Sequence, residues 1–121
     1  MNMISWFEIP VTGFERAKHF YEVMLGISIE ERMVGEARMG FIGDPVLGVA
    51  GALVLHAWYE PSDNGVLVYL NAGADLMPAL VRAEAMGGTV LIPKTNISDE
   101  HGYMAVLRDT EGNRIALHSP H

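Results

Sequence analysis

The chain has 121 residues, 50% of them hydrophobic, and a formal net charge of −7 at pH 7. This length predicts one domain with a buried core, and the apolar content excludes a disordered chain. The absence of cysteine excludes disulfides, thiolate metal ligands and a cysteine nucleophile. We therefore expect a cytoplasmic protein. The negative charge argues against a nucleic-acid partner. No apolar run reaches the roughly 20 residues of a membrane span, so we expect no membrane partner.

The first half of the chain predicts a strand, a helix and three further strands. Apolar residues alternate up to Pro10, and Thr12 followed by Glu15 indicates a capping box at the start of a helix. Apolar residues then recur at helical spacing to Leu25, and Gly26 is the expected end of the helix. The predicted elements are a strand over residues 4–9, a helix over 12–25 and strands over 27–32, 38–42 and 49–56.

The second half predicts the same order of elements after a connector. Residues 57–65 are polar and rich in turn-forming residues, which predicts a loop. Asp75 is the expected cap of a second helix that ends at Gly87 and Gly88, and residues 109–113 are the expected turn of a last hairpin. The predicted strands are 66–71, 89–92, 103–108 and 114–117, with a polar loop over 93–101.

The two halves are therefore an internal repeat, and their final strands end at His56 and His118. A four-stranded curved sheet with a helix on one side leaves its other face open, and two such sheets side by side enclose a cavity. We predict an α+β fold in which two βαβββ modules form curved mixed sheets around a cavity. The single domain, 1–121, divides into module one at about residues 1–56, the connector 57–65 and module two at about residues 66–121.

Two motifs carry a resemblance to a known family. The first runs from Phe7 to Thr12 and continues with Arg16, Ala17, Phe20, Tyr21, Leu25 and Gly26, and the second is the ending from Asp109 to His118. Together with the repeat, they resemble the vicinal oxygen chelate superfamily, which includes glyoxalase I, the bleomycin-resistance proteins and the extradiol dioxygenases. The resemblance implies the glyoxalase/bleomycin-resistance/dioxygenase fold. It does not imply one reaction, because this fold hosts isomerases, lyases, dioxygenases, thiol transferases and non-catalytic drug binders.

The resemblance also implies where a metal site belongs. Metal enzymes of this family place one ligand on the first and one on the last strand of each unit. On this chain three of those positions are Trp6, Val66 and Ala116, and the fourth lies ambiguously within residues 54–56. Divalent metals need His or carboxylate ligands. We therefore expect no cofactor and disfavour a divalent metal, while a displaced metal site stays open.

Strand parity predicts the residues that face the cavity. If Trp6 and Ala116 point inward, Glu8 and His118 do so too, because side chains alternate along a strand. His56 is the repeat counterpart of His118. Glu8, His56 and His118 are the predicted catalytic residues, since a carboxylate and two imidazoles suffice for acid–base chemistry. The predicted ligand-binding residues are Trp6, Tyr103, Val66 and Ala116.

A structural interpretation of the same residues stays open. Histidines at strand ends commonly satisfy nearby backbone groups, and Glu8 has Arg114 and Arg38 as expected partners.

Three functions follow from these observations. The leading hypothesis is a glyoxalase-like protein that binds a small organic molecule and has lost the conventional metal site. One alternative is a lyase or isomerase of the lactoylglutathione lyase type with a non-standard or metal-free site. The other is a drug-sequestering protein of the bleomycin-resistance type. We expect a homodimer in each case, with modules paired within one chain or between two chains.

Overall fold

Two βαβββ modules build the fold, as predicted. The computed structural model describes residues 2–121, and residue 1, where module one was predicted to begin, lies outside them. The elements are β1 (Trp6–Pro10), α1 (Phe14–Leu25), β2 (Glu30–Val34), β3 (Ala37–Ile42), β4 (Ala50–Leu55), β5 (Tyr69–Asn71), α2 (Met77–Ala85), β6 (Thr89–Ser98), β7 (Gly102–Arg108) and β8 (Arg114–Ser119).

Each module forms one four-stranded mixed sheet. The strand orders are β1-β4-β3-β2 in sheet one and β5-β8-β7-β6 in sheet two. The pairs β1–β4 and β5–β8 are parallel, and the other pairs are antiparallel. The first strand of each module is therefore an edge strand, and one side of β1 and of β5 has no strand partner.

The two helices pack together and share one core with both sheets. The apolar stripes of both helices are buried, which is where amphipathic spacing places them. Gly26 ends α1 in the left-handed region with φ of 66°, as predicted. Within the described residues no helix combines the length and the apolar character that crossing a membrane requires. The buried stripes consist of Phe14, Ala17, Phe20, Tyr21 and Met24 in α1 and Ala79, Leu80 and Ala83 in α2.

The predicted capping box at the start of α1 is wrong. Gly13 is the cap residue, and no side-chain cap bond comes from within the helix. The Glu15 carboxylate instead pairs with Arg38. The N–H groups of Thr12 and Gly13 donate to Glu111, which belongs to module two.

Module two differs from the prediction at three places. Helix α2 begins two residues after Asp75, whose carboxylate still accepts a bond from the N–H of Met77 at 2.9 Å. Strand β6 continues through the predicted loop at 93–101 as far as Ser98, with shifts in register. Pro93 is compatible with this strand because β6 is an edge strand. Strand β5 is only three residues long, although Val68 O still accepts a bond from β8.

The turn at residues 109–113 joins module two to the start of α1 through Glu111. The enclosed Glu111 carboxylate accepts bonds from the N–H of Thr12 at 2.9 Å, the N–H of Gly13 at 2.6 Å and Arg16 Nε at 2.7 Å. The first N–H groups of a helix lack partners within the helix and favour an anion. Burial disfavours ionisation, but the bonds from Arg16 and the backbone outweigh it and lower the pKa of Glu111 to about 2.

Asp109 and Asn113 extend the same turn into the core. Tyr21 Oη donates to Asp109 Oδ2 at 2.5 Å, and burial raises the pKa of Tyr21 well above its ordinary value, so that the phenol remains a donor. Asn113 Nδ2 donates to Pro10 O at 2.7 Å, and Asn113 Oδ1 accepts a bond from the N–H of Ser62 at 3.1 Å. One turn therefore holds α1, the end of β1 and the connector together.

Replacing Glu111 by Gln keeps the shape of the side chain and removes its charge. The pKa of about 2 lies below the ordinary 4.5, so the carboxylate stabilises the fold above pH 4.5 and its contribution is lost as the pH falls towards 2. We expect Glu111→Gln to lower the free energy of unfolding by about 2–3 kcal/mol at neutral pH, with a much smaller effect in acid. Urea unfolding at neutral pH and at about pH 3 measures both effects.

The matched control is Glu84→Gln, because Glu84 is exposed on α2. It should change the free energy of unfolding by less than about 0.5 kcal/mol. Equal losses for Glu111→Gln at the two pH values would contradict the electrostatic origin of its effect.

Candidate functional site

A cleft of about 1010 Å³ separates the edge of β1 from residues 66–71 of module two. Trp6, Phe7 and Glu8 line it from module one, and Val66 to Asn71 line it from module two. Most of the other lining side chains are apolar, and the volume is at the upper end of the range for small-molecule sites. We call this site the interstrand cleft.

Trp6 and Glu8 lie on the same face of β1, as parity predicted. Phe7 and Ile9 point to the helices and pack in the shared core, so their neighbours point to the other face. Trp6 packs there against a smaller cluster on sheet one, with its ring centroid 6.1 Å from that of Phe41.

The Glu8 carboxylate is held by two donors. Tyr59 Oη donates to Glu8 Oε1 at 2.6 Å, and Trp6 Nε1 donates to Glu8 Oε2 at 3.3 Å. The bond to Glu8 raises the pKa of Tyr59, with smaller contributions from burial and from the charge of Glu8. Tyr59 thus remains a donor, and the orientation of the carboxylate is fixed.

His56 packs against Tyr59, which in turn donates to the Glu8 carboxylate. The two ring centroids are 5.8 Å apart in an edge-to-face arrangement. His56 Nδ1 accepts a bond from the N–H of Trp58 at 3.1 Å, so the neutral ring carries its proton on Nε2. That nitrogen lies 4.0 Å from Glu36 Oε2.

His118 and Ala116 lie on β8 of sheet two, and neither lines the interstrand cleft. The ring of His118 donates from Nε2 to His101 O at 2.6 Å, which matches the structural interpretation of a strand-end histidine. Ala116 lies two residues before His118 on the same face of β8 and is fully buried. The structure therefore brings together two of the three predicted catalytic residues, Glu8 and His56.

The other two predicted ligand-binding residues differ in position. Val66 lines the interstrand cleft and is 93% exposed. Tyr103 packs against the shared core because it lies on the strand face of Ala105 and Leu107, and Lys94 Nζ lies 4.7 Å from its ring centroid. Tyr103 therefore does not line the interstrand cleft, and its predicted role in ligand binding stays a prediction.

The expected arginine partners of Glu8 are also engaged elsewhere. Arg38 pairs with Glu15 and, at 2.6 Å, with Glu31. Arg114 donates to the carbonyl of Gly65 at 2.9 Å. Sequence reasoning missed Tyr59, although the aromatic pair at 58–59 in a polar connector was an available signal.

The residues at this site do not fit a divalent metal. Within residues 2–121, no three His, Asp or Glu side chains are grouped so that they could hold one. Trp6, Val66 and Ala116, which stand at positions where the resemblance implies metal ligands, have no metal-ligating side-chain atom. Glu8 supplies a carboxylate, but its two hydrogen-bond partners are donors and offer no second ligand.

The family of this chain is shown by a sequence profile that matches almost its whole length. The sequence profile of the Glyoxalase/Bleomycin resistance protein/Dioxygenase superfamily matches residues 3–117. The chain belongs to this superfamily. A sequence search of curated proteins gives no significant match.

Solved structures of several proteins share the fold. A glyoxalase/bleomycin resistance protein from Albidiferax ferrireducens T118 has 23% identity and a TM-score of 0.71, over 96% of this chain and 98% of that chain. TnmS3, an antibiotic binding protein from Streptomyces sp. CB03234, has 24% identity and a TM-score of 0.66, over 100% and 98%. Glyoxalase I from Zea mays has 15% identity and a TM-score of 0.70, over 96% of this chain and 44% of that chain. At these identities the comparison establishes the fold alone.

The bond between Tyr59 and Glu8 can be tested by titration. Glu8→Gln removes the charge that holds the phenolic proton, so we expect the pKa of Tyr59 to fall towards its ordinary value of 10.0. The measurement is a pH titration of the ring carbon signal of Tyr59 by NMR. Glu36→Gln is the control, because Glu36 is exposed and contacts His56 rather than Tyr59. An unchanged Tyr59 midpoint in Glu8→Gln would contradict the geometry.

Proposed function

We propose that this protein binds a small organic molecule in the interstrand cleft and does so without a conventional metal centre. The observation that carries the proposal is a largely apolar cleft of about 1010 Å³ in which one carboxylate is fixed by two donors. Such a site combines apolar surface for affinity with a polar group for orientation. Trp6 adds a flat aromatic wall next to that group.

A narrower form of the proposal is sequestration of a drug-like molecule. TnmS3 shares the fold and is described as an antibiotic binding protein, which supports this form. Sequestration requires binding without turnover, so a ligand recovered unchanged after prolonged incubation distinguishes it from catalysis.

Acid–base catalysis of the lyase or isomerase type is the second candidate. It is favoured by the 2.6 Å bond between Tyr59 and Glu8 and by the His56 ring beside it, which place an acid and a base together. In this version Glu8, Tyr59 and His56 carry the proton transfers, while His118 is bonded to the backbone of His101. Turnover that is lost in Glu8→Gln with the fold intact would favour this candidate over simple binding.

Trp6→Ala tests the binding proposal with 4-phenylbutan-1-ol as a neutral aromatic probe. We expect the variant to bind the probe more weakly, because it loses the aromatic wall, and to lose less than the roughly 3–5 kcal/mol of a fully packed ring. Calorimetry measures the affinity, and urea unfolding measures the stability. Trp58→Ala is the control, because Trp58 is 91% exposed and does not line the cleft. Unchanged probe binding in Trp6→Ala would contradict a site at this wall.

The proposed absence of a conventional metal centre gives a separate prediction. Apolar side chains do not replace the hydration shell of a divalent cation, so we expect the purified protein to contain far less than one metal ion per chain. Elemental analysis after mild chelation measures this. About one Ni, Zn, Fe or Mn ion per chain would contradict the prediction.

We further propose that the chain forms a homodimer. Large apolar side chains are exposed along the free edges of the cleft, and they include Met3 at 85%, Ile4 at 58% and Val66 at 93%. Exposed edges and apolar patches of this kind are commonly covered by a second subunit. Light scattering should give twice the chain mass at micromolar concentration, and a monomer mass would contradict the proposal.

A further inference from the structure

Glu8 is the only acidic or basic side chain in the lining of the interstrand cleft among the residues that the structure describes. Its hydrogen-bond partners Trp6 and Tyr59 are neutral. No Lys, Arg or His of residues 2–121 forms an ion pair with it. No cation of the described residues therefore compensates the charge of Glu8 within the cleft.

A carboxylate in an apolar, partly water-excluded site favours a cation as its neighbour. Trp6 and Tyr59 occupy one acceptor position on each Glu8 oxygen, and a carboxylate has about four such positions. Acceptor positions are thus left for a donor on a ligand. The two neutral donors fix the carboxylate before any ligand arrives, which reduces the ordering required on binding.

Aromatic surface next to Glu8 favours the same kind of ligand. The negative face of an indole ring attracts ammonium groups, and Trp6 lines the cleft directly beside the carboxylate. Tyr69, which is 50% exposed, lines the cleft from module two. An anionic ligand is disfavoured both by Glu8 and by the net charge of −7.

We propose that the ligand of the interstrand cleft is an organic cation: an apolar molecule with one protonated amine or quaternary ammonium group, which Glu8 and the ring of Trp6 hold. This inference rests on the proposed function and adds the charge class of the ligand. The apolar remainder of the ligand lies against the aliphatic lining contributed by both modules.

Three probes with one skeleton and different head groups test the charge class. They are 4-phenylbutylamine, 4-phenylbutan-1-ol and 4-phenylbutyrate, which are cationic, neutral and anionic at neutral pH. The protein is the full chain carrying Trp58→Phe, so that Trp6 is the sole tryptophan and reports binding by its fluorescence. Calorimetry on the unmodified chain checks that this background does not alter the affinities.

We expect the amine to bind about tenfold more tightly than the alcohol at low salt, and the carboxylate to bind most weakly. Glu8→Gln should bring the amine and the alcohol to similar affinities, and added salt should weaken the amine alone. The control Glu84→Gln removes the same net charge at an exposed helix position and should keep the tenfold preference. Loss of the preference in Glu84→Gln would show a general charge effect and overturn the assignment to Glu8.

Three further outcomes would overturn this inference, and the first two separate it from the proposed function. Equal binding of the amine and the alcohol, unchanged in Glu8→Gln, would overturn the cation inference and leave the binding function in place. Failure of all three probes to bind at millimolar concentration would overturn both. A change of the oligomeric mass in Glu8→Gln would show that Glu8 acts in subunit association, and would also overturn the inference.

Discussion

The carboxylate of Glu111 at the start of α1 is the interaction on which the arrangement of the two modules depends. It binds the first N–H groups of that helix from the opposite module. Asn113, in the same turn, holds both Pro10 at the end of β1 and Ser62 in the connector. Glu8 precedes Pro10 on β1, and its partner Tyr59 belongs to the connector. The turn at 109–113 thus fixes the two segments that meet in the bond between Glu8 and Tyr59.

The sequence repeat is not matched by a repeat of roles. In module one the counterpart of this turn lies at residues 44–48, where the one bond that the described residues give to the Asp44 carboxylate comes from the nearby N–H of Val46. Val46 and Leu47 are 89% and 86% exposed there. The divergence leaves module two with the structural turn and module one with the polar group of the site. Under the proposed function, the two copies of one supersecondary unit therefore contribute to stability and to binding in different ways.

Local patterns predicted most of the fold and the shared strand face of Trp6 and Glu8. Helical spacing identified both buried stripes, and strand parity placed Trp6 and Glu8 on one face, because these depend only on near neighbours along the chain. The cap of α1 by Glu111 was not predictable in this way, since the two segments are separated by 99 positions. Tyr59 was missed because the path of an irregular connector follows from tertiary contacts such as the one to Asn113. Sequence reasoning did not determine which face of its strand carries Tyr103, which packs against the shared core.

The central claim is that a ligand occupies the cleft between β1 and residues 66–71. The most direct measurement is a map of NMR chemical-shift changes on titration of the isotopically labelled chain with 4-phenylbutylamine. We expect the largest changes at the Trp6 indole N–H, at Glu8 and at Val66, which line the cleft from both modules. Largest changes at Met104 and Val106 on sheet two, or shifts scattered over the surface, would contradict the claim.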